Sequence, residues 1–307
     1  MINIMNIIGH RKIYLTISGL LVLSAFIAII VFGFQQGIDF NGGTLWQLRT
    51  TNNLPDRQAG QQLTTNNLKA FFETDLGVKN AIIFPAENQS FLVRLPHISE
   101  EEHQFYLEAI KTKFGETEEL SFQNIGPAIG QELKTRAFWA IGLVILGISL
   151  YIAFAFRKVS YPVKSWKYGI ITLMTLFHDI TIPAGLLAIL GWKLGVEIDT
   201  NFVVALLVVM GFSVHDTIVV FDRIRENLML QRGRFDLATV INSSVNQTFS
   251  RSVNTSLTLV LVLVALFFFG PITLHYFILT LLVGVIVGTY SSIFIASPLL
   301  LYLGYSK

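Results

Sequence analysis

Two acids stand where charge is hardest to keep. Asp179 and Asp216 lie inside long apolar runs, each directly preceded by a histidine, His178 and His215, and Arg251 opens a further apolar run. A charged side chain near the centre of a bilayer costs about 2.5–3.5 kcal/mol on insertion scales, so a residue kept there is a functional candidate. The chemistry open to such a carboxylate is proton uptake and release. Low dielectric favours its neutral form and a neighbouring guanidinium its ionised form, so movement of Arg251 relative to Asp216 would switch proton affinity. The plainer alternative is an Asp216–Arg251 ion pair that serves packing alone. Asp179 has its own plain alternative, satisfaction by neighbouring Ser and Thr. His178 and His215 are candidates to extend a relay. No further acid or histidine lies four residues away on the same helical face, so neither a metal site nor a cofactor is expected.

The elements that hold these residues are apolar stretches of about 20 residues, the length that crosses roughly 30 Å of hydrocarbon. Six qualify: Ile13 to about Phe34, Ala137 to about Phe156, about Tyr168 to Trp192, about Asn201 to Phe221, about Arg251 to Phe269, and about Tyr276 to Tyr302. The first has too long an apolar core for a cleaved signal peptide and reads as a retained helix. Asp179 falls near mid-depth of the third span, and Asp216 about 9 Å before Asp222, in the cytoplasmic half of the fourth. Arg251, Thr255 and Thr258 share one face of the fifth, with Asn254 and Ser256 beside it, a wet face that points to a hydrated path between spans four and five. The fifth span ends at the breaker pair Gly270-Pro271, after an apolar Phe267-Phe268-Phe269 run. Gly284 and Gly288 in the sixth have the spacing of close helix packing.

Charge places these spans in a membrane and orients them. The chain has 307 residues, 52% of them hydrophobic and 14% charged, with no cysteine. Residues 252–306 are 55 consecutive positions without Lys, Arg, Asp or Glu. A soluble enzyme, a disulfide scaffold and a nucleic-acid binder are excluded on these grounds. Arg11 and Lys12 precede span one; Arg157, Lys158, Lys164 and Lys167 follow span two; Arg223, Arg225, Arg232, Arg234 and Arg251 follow span four. The intervening loops carry Lys193 against Glu197 and Asp199, and no fixed charge after span five. By the positive-inside rule both termini are cytoplasmic, and the charge of the Arg225–Arg234 stretch needs no nucleic acid to explain it.

Three segments are therefore expected: residues 1–34, the N-terminus and first helix; 35–136, an extracytoplasmic α+β domain; and 137–307, a five-helix bundle. The middle segment reads as a strand at Thr44–Arg49, a helix over Asp56 to about Asp75, strands at Asn80–Phe84 and Ser90–Leu95 around a Glu87-Asn88-Gln89 turn, a helix capped by Ser99 and Glu102 that buries Phe105, Leu107 and Ile110, and a last strand at Glu118–Gln123. The order β-α-β-β-α-β is the ferredoxin-like unit. It holds no nucleophile–base pair, its His97 and His103 are expected to be solvated, and no catalysis is expected of the chain.

Several motifs carry a family resemblance. Gly37, Asp39, Phe40, Gly42, Gly43 and Thr44 stand as in the G-x-D-F-x-G-G-T signature of the SecD/SecF protein-export membrane proteins. Residues 125–133, with Gly126, Pro127 and Gly130, are similar to that family's V-G-P-x-V-G-x-E-L. Residues 211–227, with Asp216, Asp222, Arg223 and Arg225, resemble the G-Y-S-x-N-D-T-I-V-V-F-D-R-x-R-E-N of the SecF branch, and Arg251 with Asn254-Thr255-Ser256 its R-S-x-N-T-S. The resemblance implies a polytopic α-helical membrane protein of RND type with six transmembrane helices. It also implies a SecD partner, work beside the SecYEG channel and SecA, often with YajC, and the translocating unfolded polypeptide as substrate. In that family the proton-motive force assists export, and the matching proton-pathway positions are Asp216 and Arg251. Where the family has asparagine, this chain has His215. Two other outcomes are compatible with a six-span chain: an RND-type exporter of small molecules or lipids, and a structural subunit without proton coupling.

Overall fold

The computed structural model describes residues 5–50, 64–86, 89–157, 163–230 and 236–304. The chain divides into a helical unit, Met1–Gln35 with Phe138–Lys307, and an α+β unit, Gln36–Ala137.

The α+β unit opens with a single turn of helix, α2 (Ile38–Asn41), and then strand β1 (Gly43–Thr50). Helix α3 (Thr65–Ala70) follows, widening into a π turn at Phe71–Asp75; then come β2 (Ile82–Ala86), β3 (Ser90–Leu95), α4 (Glu100–Phe114) and β4 (Thr117–Ile125). The sheet order is β2-β3-β1-β4 with every neighbour antiparallel. Alternation along β1 sends Thr44, Trp46 and Leu48 inward, each fully buried, because successive strand residues face opposite sides. The capping box is in place: Ser99 Oγ accepts from the Glu102 N–H and the Glu102 carboxylate accepts from the Ser99 N–H, at 3.2 and 2.7 Å. Of the expected first helix, residues 56–63 lie outside the described residues, as do Glu87 and Asn88 of the expected turn.

Two expectations for this unit are corrected. Helix α4 buries His103, Tyr106, Ile110 and Phe114, while Phe105 is 61% exposed. The buried face follows the three- and four-residue period, and Phe105 falls off it. His103 is buried, not solvated. Its Nε2 lies 2.6 Å from Glu119, its Nδ1 3.3 Å from Glu100, and its ring stacks on Phe122 at 3.7 Å. Trp46 Nε1 donates to the same Glu119 carboxylate at 2.7 Å. Between Gln47 and Leu48 the β1–β4 register slips. The slip opposes Leu48 to Glu119 and leaves Leu120 unpaired, the work of a β-bulge.

Among the described residues, six helices are long and apolar enough to cross a membrane. They are α1 (Arg11–Phe32), α5 (Pro127–Ala155), α6 (Ser165–Leu194), α7 (Thr200–Leu230), α8 (Leu237–Phe269) and a last helix in three pieces. Those pieces are α9 (His275–Ser291), a π turn at Ser292–Ala296, and α10 (Ser297–Gly304). Helix α8 begins well before the expected boundary at Arg251, α7 continues beyond Phe221, and α5 starts at Pro127, where proline is pre-set for a first helical position. The core between α6, α7 and the last helix includes a stack of Phe156 on Tyr168, with Phe221 edge-on to both.

Candidate functional site

Both intramembrane acids are buried in this unit. Asp179 has no exposed surface and Asp216 only 7%. Asp179, on α6, accepts from the hydroxyls of Ser213 on α7 and Ser291 on α9, the second at 2.7 Å, and its Oδ1 faces His178 Nδ1 at 2.7 Å. Asp216, on α7, accepts from Ser252 on α8 at 2.7 Å and from Ser292 at the π turn of the last helix. Consecutive serines of one helix thus serve different carboxylates, and Ser213 and Asp216 sit one helical turn apart on α7. Widening at the π turn changes the angle between successive side chains, and it falls where Ser291 and Ser292 must point to different helices.

Close helix approach makes this cage possible. A side chain at Gly284 would bring its Cβ to 2.2 Å from Val209, and one at Gly288 would lie 3.2 Å from Ser213 and 3.7 Å from Asp179 Oδ2. The glycine pair therefore draws α9 against α7 at the level of the two acids.

Arg251 makes no ion pair with Asp216, which is held by hydroxyls instead. The guanidinium is exposed, as are Asn254, Thr255 and Thr258, whereas Ser252 and Ser256 are buried. The polar face expected to line a path between spans four and five points away from this bundle, and the two serines one step around the helix do the inward work. His215 is likewise exposed while Asp216 is buried, since neighbouring helical residues point about 100° apart. Asp222, Arg223 and Arg225 lie further along α7. Arg223 donates to Gln247 on α8 and Asn227 to Ser244, tying the two helix ends together.

The two glycine motifs meet within the α+β unit. Gly42 has φ +75°, and a Cβ there would lie 2.9 Å from Pro127 Cα; one at Gly130 would lie 2.9 Å from the Gly42 nitrogen and 3.1 Å from the Phe40 carbonyl. The loop Gly37–Thr44 and the start of α5 are thus in backbone contact, which a side chain at either position would prevent. Phe40 is buried beneath, Asp39 is half-buried, and Thr44 donates to Asn124 at 2.9 Å.

The four serines of the acid cage were not singled out by sequence. Their signal is weak: a serine in an apolar helix is common, and nothing local says which of several will meet a carboxylate.

Comparison with known proteins identifies the family. Residues 106–306 match the family described as protein export membrane protein SecD/SecF, C-terminal, and residues 27–53 match the SecD/SecF GG motif. Similar proteins include the protein translocase subunit SecF of Thermobaculum terrenum, 43% identical over 96% of this chain and 92% of that protein, and that of Anaerolinea thermophila, 36% identical with the same coverage. The crystal structure of SecDF from Thermus thermophilus superposes with a TM-score of 0.80 at 35% identity, over 97% of this chain. The chain spans 38% of the length of that SecDF. These matches establish that the chain belongs to the SecD/SecF family of protein-export membrane proteins.

Proposed function

We propose that the chain is the accessory subunit of Sec protein export that, with SecD, uses the proton-motive force to assist late translocation through SecYEG. The observation that carries the coupling is Asp216, a carboxylate inside an apolar helix with hydroxyl donors from two further helices. A carboxylate so placed holds or releases a proton at the cost of one charge in low dielectric. Each charge moved across the field is worth about 2.3 kcal/mol per 100 mV, enough for a few protons to bias a domain motion. Arg251, one residue from Ser252 on α8, belongs to the same pathway from the helix's outward face, and its exposure supports a partner that covers it. The single-chain SecDF relatives support SecD as that partner. SecYEG, SecA and YajC complete the working assembly, with the unfolded polypeptide as cargo.

The basic loops support an orientation with both termini cytoplasmic in the bacterial inner membrane, and the α+β unit outside. The strand order of that unit supports a ferredoxin-like assignment, and we read the unit as a surface for cargo or partner. Inverted vesicles carrying Asp216→Asn should lose proton-dependent acceleration of export while retaining the ATP-driven part. Export at wild-type level under a proton gradient would overturn the coupling.

A further inference from the structure

Asp179 sits in a cage that serves a carboxyl group in both of its protonation states. Ser291 Oγ lies 2.7 Å from Asp179 Oδ2 and 3.0 Å from the Gly288 carbonyl oxygen. A hydroxyl has one hydrogen to give. With Asp179 ionised, that hydrogen goes to the carboxylate; with Oδ2 protonated, the acid donates to Ser291 Oγ and the serine turns its hydrogen to Gly288. Ser292 repeats the device at Asp216, with the Thr289 carbonyl 2.9 Å away as its second acceptor. Fixed donors such as backbone N–H groups or a guanidinium cannot accept, so beside them the acid's new O–H would be left without a partner, a costly state for a buried group.

The second observation is His178. Its Nδ1 is 2.7 Å from Asp179 Oδ1, and its Nε2 is buried without a hydrogen-bond partner. With Nδ1–H donating to the carboxylate, Nε2 carries a free lone pair.

We infer that Asp179 is a second proton-carrying carboxyl of this chain, loaded through His178. The inference rests on the proton-coupled function proposed above. A proton adds to His178 Nε2; the Nδ1–H bond breaks and its proton passes to Asp179 Oδ1. The products are a neutral imidazole bearing its hydrogen on Nε2 and a neutral carboxylic acid that donates back to Nδ1, so one proton enters and one is stored. Release reverses the step through His178. Ser213 and Ser291 are positioning residues: they orient the carboxyl and accommodate its change of charge. From the elements packed against α6, the ionisable groups are Arg11, Lys12 and Tyr14 on α1, His215 and Asp216 on α7 with further charges beyond Phe221, Tyr302 on α10, and His275, Tyr276 and Tyr290 on α9. None of these is hydrogen-bonded to Asp179, whose ionisable neighbour is His178.

The test is proton flux into proteoliposomes holding the full chain with its SecD partner, read with an entrapped pH dye over a range of pH. Asp179→Asn and His178→Asn should each slow flux by about tenfold or more. Ser291→Ala, the mildest change, should move the pH midpoint of flux by about one unit through loss of a donor to a charged group. Wild-type flux in Asp179→Asn, or an unmoved midpoint in Ser291→Ala, overturns the inference. If Asp179→Asn fails to fold, the Ser291→Ala midpoint decides alone. Asp216→Asn separates the two claims. Its loss of flux beside an unaffected Asp179→Asn leaves proton coupling standing without this second site, whereas wild-type flux in both variants removes both.

Discussion

At the scale of single residues, neighbours in sequence part company. His215 and Asp216 are adjacent, yet one is exposed and the other buried; Arg251 and Ser252 divide in the same way. The inward members, Asp216 and Ser252, bond to each other at 2.7 Å, so this contact joins α7 to α8. Replacing Ser252 with Ala should cost about 1.5–3 kcal/mol, the range for a hydrogen bond to a charged group, seen as a lower melting temperature of the full chain in detergent. Glu100 in the α+β unit offers a pH test. The Gln104 amide, donating at 2.8 Å, and then His103 hold its carboxyl below the ordinary carboxylate range. A depressed folded-state value means the contribution is present above the ordinary value and fades as pH falls through the depressed one. Amide protection along α4 should weaken on acidification in that window. Glu100→Gln should flatten the pH dependence in hydrogen exchange.

At the scale of elements, two close approaches set the positions. Gly284 lets α9 reach Val209 on α7, and Gly284→Val should destabilise the helical unit by about 1–3 kcal/mol through overpacking. Adding Val209→Ala should return much of that loss, a double-mutant cycle read by thermal unfolding. Gly130 lets the start of α5 touch the Gly42 backbone, so Gly130→Ala should make the α+β unit easier to cleave in limited proteolysis. Close packing at Gly284 and Gly288 was legible from their spacing, as were the capped start of α4 and the alternation of β1. The early start of α8 at Leu237 was not, because its first turns are polar and an apolar-window criterion sees only the stretch after Arg251. Nor was the π turn at Ser292–Ala296, which has no composition that separates it from ordinary helix.

At the scale of the whole molecule, α8 presents an outward polar face within an apolar helix. Arg251, Asn254, Thr255 and Thr258 are exposed, and such groups facing lipid are costly; a partner helix would relieve this. The chain has no cysteine, so Thr258→Cys gives a single labelling site. A membrane-permeant maleimide should react with it about tenfold more slowly when SecD is co-produced than in the chain alone, in keeping with burial of a thiol at an interface. Equal rates would place the partner elsewhere.

Read alone, the amino-acid order was sufficient for six apolar helices, an inserted α+β segment and two acids held in apolar surroundings. Each of those follows from local composition and period, which need no knowledge of neighbours. It was not sufficient for what stabilises the acids or for the burial of His103 between two carboxylates. The hydroxyls that meet Asp179 and Asp216 come from residues 34, 36, 76 and 112 positions away. Which of many helical serines takes that role depends on the rotation and approach of packed helices. Only the tertiary structure decides these, because the free energy of a buried polar group resides in its partner and not in the residue itself.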